Sequence, residues 1–160
     1  MTGTGSPNRL AGFTLAVYWS CILSGISIPW VATIAVDVLK HEQSLSEAVR
    51  QLRLHLFAPG HNLFLVALLN AVPFVVFAIF SLFHLGLAPA HDRILSGRRC
   101  SGVVAATIVL AITSAWTHVM TLWYPDAQAA LAYLFLPLLL LVLMPVGYAA
   151  GRALGYVIFR

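Results

Sequence analysis

Histidine is the side chain with the widest chemistry on offer in this chain. There are six: His41, His55, His61, His84, His91 and His118. An imidazole nitrogen can hold haem iron or another metal, and a haem-binding bundle needs such histidines paired at one depth on facing helices. His61 with His118 fits that requirement by depth, and so does His84 with His91. Neither pair sits in a recognisable ligand motif. No cofactor is therefore expected, and a haem or metal held by His61 and His118 stands as an alternative. The two cysteines, Cys21 and Cys100, form no C-x-x-C pair. Thiol–disulfide exchange has no reactive pair to use.

A second pattern is a tier of polar residues at one depth. Asn70 and His118 each lie about two turns into an apolar run from the same end, and Trp30 and Tyr133 fall at a similar depth. Ser114 is one turn further in. In hydrocarbon, each of these groups needs a hydrogen-bond partner, so asparagine and histidine there should face other helices. The expectation is a ligand-binding site formed by Asn70, His118, Ser114, Trp30 and Tyr133. On this reading Asn70 and His118 face one another. The plainer reading is a set of interhelical bonds that holds the helices together. No nucleophile–base pair, phosphate-binding glycine loop or carboxylate dyad accompanies the tier, so an enzyme is the less expected reading and stays open.

The elements that must position these residues follow from composition. The chain has 160 residues, 61% hydrophobic and 9% charged. A soluble surface needs roughly 25% charged residues, so the chain is expected to be integral to a membrane. The net charge of +4 comes from dispersed bases that flank apolar runs. Nucleic acid is not an expected partner. Membrane lipids are, together with other membrane subunits or a second copy of the chain.

Apolar runs of sufficient length cover about residues 13–36, 63–87, 102–124 and 129–155. Residues 1–12 read as a disordered cytoplasmic tail, and 13–160 as one membrane domain. Between the first two runs, residues 44–57 carry Ser44 and Glu47 at capping-box spacing. Leu45, Ala48, Val49, Leu52 and Leu56 then recur with helical period. Glu47, Arg50, Gln51 and Arg53 take the opposite side. The fold class is thus all-α and integral to the membrane. It is a four-transmembrane-helix bundle with one external amphipathic interfacial helix between spans one and two.

The last run carries Gly147, Gly151 and Gly155 at four-residue spacing, a glycine zipper that lets another helix approach closely. Arg152 sits among them, flanked by Tyr148 and Tyr156. It is expected to reach the headgroups as a lipid anchor or to stack on these rings. Arg9, Arg93, Arg98, Arg99, Arg152 and Arg160 fall on one side of the membrane, with only Asp92 among the acids. Lys40, Arg50 and Arg53 fall on the other. The positive-inside rule then puts both termini in the cytoplasm of a bacterial inner membrane. With little soluble mass and no catalytic set, the functional expectation is an accessory or scaffolding subunit of a larger membrane complex. The alternatives are a binder or transporter of a lipid-like molecule around Asn70 and His118, and a histidine-ligated redox subunit.

Overall fold

The computed structural model describes residues 7–59, 62–86, 93–125 and 129–159. Among these, five helices follow in chain order: α1 (Pro7–Leu39), α2 (Leu45–His55), α3 (Leu63–Gly86), α4 (Arg93–Trp123) and α5 (Ala129–Ile158). All but α2 are long and apolar enough to cross a membrane. The shortest, α3, has 24 residues. That is roughly 36 Å of helix, against about 30 Å of hydrocarbon. The long helices form two antiparallel pairs, α1 with α3 and α4 with α5, which meet through α1–α4 and α3–α5 contacts. One end of the bundle therefore carries α2. The other is where α1 starts and α5 finishes.

Two boundaries differ from the sequence expectation. Residues 7–12, read as tail, are the opening turns of α1, and Pro7 suits a first helical position because its missing N–H has no carbonyl to reach there. Residues 93–101, read as loop, are the first turns of α4. Arg98 and Arg99 have partners there that make helix favourable. Arg99 Nη1 donates to the His84 carbonyl at the end of α3, 3.1 Å away. Arg98 Nη2 donates to the Phe159 carbonyl just past α5, 3.0 Å away. Both arginines thus meet the unpaired, partly negative carbonyls of helix C-termini. At the opposite end Lys40 Nζ donates in the same way to the Trp123 carbonyl that closes α4. The remaining N-terminal residues, 1–6, lie outside the described residues.

The tightest contact joins α4 and α5. Gly147, Gly151 and Gly155 are all buried and all face α4. A Cβ on Gly147 would stand 3.1 Å from the Ala106 Cα, and one on Gly151 would stand 2.5 Å from the Ser101 carbonyl and also collide with the Ala105 Cβ. At Gly155 it would meet Ser101 Oγ and, at 3.0 Å, the Arg98 Cα. The pattern continues on α4, where Gly97 lies under the Phe159 ring and Gly102 under Tyr148. With the backbones this close, Ser101 Oγ can donate across the seam to the Gly151 carbonyl at 2.8 Å. The other pair packs through Gly25 of α1, which lies against Phe74 and Ala71 of α3. Cys21, Phe74, Phe77, Leu110 and Leu140 fill the centre.

The short helix α2 packs against α1. Ser44 Oγ accepts from the Glu47 N–H at 3.3 Å, which satisfies one of the orphan donors of the first turn. The reciprocal half of the expected capping box is replaced. Glu47 is held by Arg50 through both carboxylate oxygens, at 2.6 and 2.9 Å, and by Gln51 Nε2 at 3.0 Å. The side facing the bundle also differs from expectation. Ala48 is fully buried, but Leu45 is 64% exposed, and Gln51, read as outward, is half-buried.

Candidate functional site

Two polar layers lie at the α2 end, one inside the bundle and one above it. The inner layer begins with a proline. Pro29 has no N–H, so the Gly25 carbonyl one turn earlier loses its helical partner. Asn70 Nδ2 of α3 donates to that carbonyl at 2.8 Å. Asn70 Oδ1 accepts from Ser114 Oγ of α4, also at 2.8 Å. His118 Nδ1 lies 2.9 Å from the Ser114 carbonyl. A carbonyl only accepts, so Nδ1 carries the hydrogen, and in the neutral ring Nε2 is left as an acceptor. His118 is 1% exposed, and this Nε2 is buried without a partner among the described residues. Tyr133 of α5 lies against the imidazole face, with ring centroids 5.3 Å apart.

The five residues expected at this depth therefore divide. Asn70, Ser114 and His118 form one continuous chain of bonds across α1, α3 and α4, and Tyr133 covers its end. Asn70 and His118 do not satisfy one another as expected, because the amide is used on Gly25 and Ser114. Trp30 is separate: its Nε1 donates to the Leu63 carbonyl at 3.3 Å, in the first turn of α3.

The outer layer is a cavity of about 380 Å³ between the end of α1, α2 and the mouth of the bundle. Its polar lining comes from Thr33, Asp37, His41, Gln43, Gln51 and His55, and its apolar lining from Leu52, Leu63 and Leu122. Leu122 is one helical turn above His118 on α4, so the cavity lies outward of the inner layer. Two local devices shape it. Glu42 has φ +54°, a left-handed conformation that costs a non-glycine residue on the order of 1–3 kcal/mol. It stands between His41 and Gln43, both of which line the cavity. On the α2 side, the Glu47 bond fixes the amide nitrogen of Gln51. The Arg50 guanidinium, and then Gln51, hold the Glu47 carboxyl below the usual carboxylate range. Sequence reasoning missed Asp37, His41, Gln43, Gln51 and His55 as a group. They come from two segments that only the turn at residues 40–44 brings together.

The opposite end has its own histidine. His84 Nε2 lies 2.5 Å from the Tyr148 hydroxyl, with Phe80 stacked on the imidazole at 5.2 Å. Tyr156 lies under the Arg98 guanidinium, 4.0 Å from its ring centroid. Both tyrosines expected to flank Arg152 are thus engaged elsewhere. His61 and His91, the expected haem partners of His118 and His84, lie outside the described residues. Among the described residues no group of three histidine, cysteine or acidic side chains is placed to hold a metal ion. No family model matches the chain, and no curated protein or solved structure matches it either.

Proposed function

We propose that this chain is a small membrane-embedded binding module that takes a lipid-like molecule at its α2 end. The observation that carries the proposal is the cavity of about 380 Å³, within the size range of ligand pockets. Its lining is polar on the α1 side, mixed on the α2 side, where Leu52 stands beside Gln51 and His55, and apolar at the mouth of the bundle through Leu63 and Leu122, which matches an amphiphile with a head and a chain. The inner layer then supports the site from below. Asn70 and Ser114 fix α1, α3 and α4 relative to one another, and His118 Nε2 offers an acceptor one turn beneath the cavity floor. Helix α2 acts as an interfacial cover with its exposed leucines, Leu45 and Leu54, in the membrane surface. The termini face the cytoplasm of a bacterial inner membrane. Arg152, with Tyr148 and Tyr156, sits at headgroup level there.

The test is to fill the cavity. Gln51→Trp places an indole in it from the half-buried side of α2 without touching the bundle core. Native mass spectrometry of protein released from membranes should show retained lipid in the parent and much less in the variant, at unchanged helicity. Equal retention would contradict the proposal.

A second reading, an accessory or scaffolding subunit, draws on a different observation. Ala149, Ala150 and Ala153 are exposed on α5, away from the glycine seam. A small-residue face of this kind suits a further helix from another subunit or another copy. Leucine at Ala149 and Ala153 should dissociate any larger assembly seen in mild detergent. An unchanged mass would remove this support.

A further inference from the structure

We propose that the cavity at the α2 end takes the primary ammonium group of an amphiphile, an assignment that rests on the binding reading above. The donors and acceptors of the lining favour it. Gln43 lines the cavity, and its Oε1 is buried with no hydrogen-bond partner among the described residues. A buried acceptor left unmade is unfavourable, so Gln43 gains by turning this oxygen toward a donor bound in the cavity. Asp37 adds a carboxyl that also accepts. Gln51 has committed its amide nitrogen to Glu47, which leaves its amide oxygen as a third acceptor. A primary ammonium carries three N–H donors and a positive charge, and its bonds to carboxylate and amide oxygens are charge-assisted.

Other head groups fit less well. An anion would meet the Asp37 carboxyl and would find donors able to carry positive charge only on the imidazoles of His41 and His55. Lys40 is already bound to the Trp123 carbonyl and is not among the lining residues. A quaternary ammonium has no N–H and is usually held by aromatic faces. Among the described residues no aromatic ring lines this cavity apart from the imidazoles of His41 and His55. The chain of the amphiphile has a surface to follow, since Leu63 lines the cavity and Phe64 and Leu65 beside it are exposed on α3. The left-handed turn at Glu42 holds Gln43 at the cavity although that conformation is strained there.

Two sources carry this chemistry: an aminophospholipid headgroup and a free long-chain amine. Phosphatidylethanolamine and phosphatidylcholine with identical acyl chains share phosphate, glycerol and tails, and differ only at nitrogen. The purified full chain in detergent is offered both in equal amounts, and retained lipid is weighed by native mass spectrometry. Dodecylamine and dodecyltrimethylammonium are then tested as competitors. We expect a several-fold preference for phosphatidylethanolamine, removed in Asp37→Asn and reduced in Gln43→Leu, with dodecylamine displacing the lipid and its trimethyl analogue failing to. No lipid preference, with dodecylamine still the better competitor, supports the ammonium assignment and names a free amine as the source. Equal retention of both lipids together with equal competition overturns the assignment. If Gln51→Trp still abolishes that retention, the binding reading stands without it. If Gln51→Trp leaves retention unchanged, both fall.

Discussion

The two ends of the bundle use polar and small residues in opposite ways. Where α5 finishes, the described residues pack closely. Glycines on α4 and α5 let the backbones touch, Ser101 bonds across the seam, and Arg98 and Arg99 cover the carbonyl ends of α5 and α3. At the α2 end Glu42 is strained, and a polar cavity remains above a buried imidazole whose Nε2 has no partner among the described residues. Hydrogen bonding alone does not separate the ends, since both are rich in it. They differ in where the unpaired atoms lie. Across the α4–α5 seam Ser101 supplies the donor. Near that end Ser81 Oγ and the Nε atoms of Arg98 and Arg99 are buried without partners among the described residues, but none of these three residues lines the cavity. At the α2 end the atoms without a partner among the described residues are acceptors: Gln43 Oε1, on a residue that lines the cavity, and one turn deeper His118 Nε2. Buried acceptors left open beside a cavity are placed to receive something.

The strongest way to break this comparison is at the seam. Gly151→Leu would drive a side chain into the Ser101 carbonyl and Ala105, both backed by helix backbone. The expected loss is about 3 kcal/mol or more, at the upper end for overpacking because backbone cannot yield as a side chain can. Thermal unfolding in detergent measures it. A melting temperature within experimental error of the parent would show that the two helices are not held this closely.

A smaller effect is expected in the inner layer, and its logic can be isolated. Asn70→Leu should cost about 1–3 kcal/mol, because it strands the Gly25 carbonyl and the Ser114 hydroxyl. Pro29→Ala returns an N–H to Gly25 within α1. The two changes together should therefore cost less than the sum of the singles, with a coupling of about 1 kcal/mol. Strict additivity in a double-mutant cycle would mean that Asn70 does not stand in for the missing proline donor.

The smallest effect is at α2 itself. The folded-state pKa of Glu47 is lowered by Arg50 and Gln51. What this pairing adds to α2 is therefore fully present above the ordinary carboxylate range. It is lost as pH falls from that range through the lowered value. Amide exchange in α2 should be flat from neutral pH to about 5, after correction for the intrinsic rate, and should rise only in more acidic solution. Glu47→Gln should remove the acid dependence with little effect at neutral pH, since the pair is exposed. Loosening of α2 already near neutral pH would assign its docking to another group.

Some of this arrangement is legible in the residues, and the limit has a physical reason. The period of Gly147, Gly151 and Gly155 equals the helical repeat, so their shared face follows from spacing alone. That Gly97 and Gly102 answer them from α4 does not, because the arginines around them read as loop until helix ends are there to receive them. Asn70 announces itself as a buried amide in an apolar run. Its partner depended on a bond that Pro29 removes in a different helix, a signal present in the sequence but tied to Asn70 only by packing. The cavity was the least legible part. Its residues carry no common period, and one left-handed residue decides where His41 and Gln43 point. The expected lining of α2 by Leu45 failed for the same reason: the angle at which α2 leaves α1 is set in that turn.

The central claim is that the α2 end is open to a ligand while the α4–α5 seam is complete without one. Amide exchange of delipidated protein, measured before and after adding phosphatidylethanolamine, compares the two ends in one experiment. Exchange should slow across residues 37–55 on addition, with residues 97–106 and 147–155 unchanged. Slowing confined to the seam, or none at residues 37–55 under lipid that the protein retains, would contradict it.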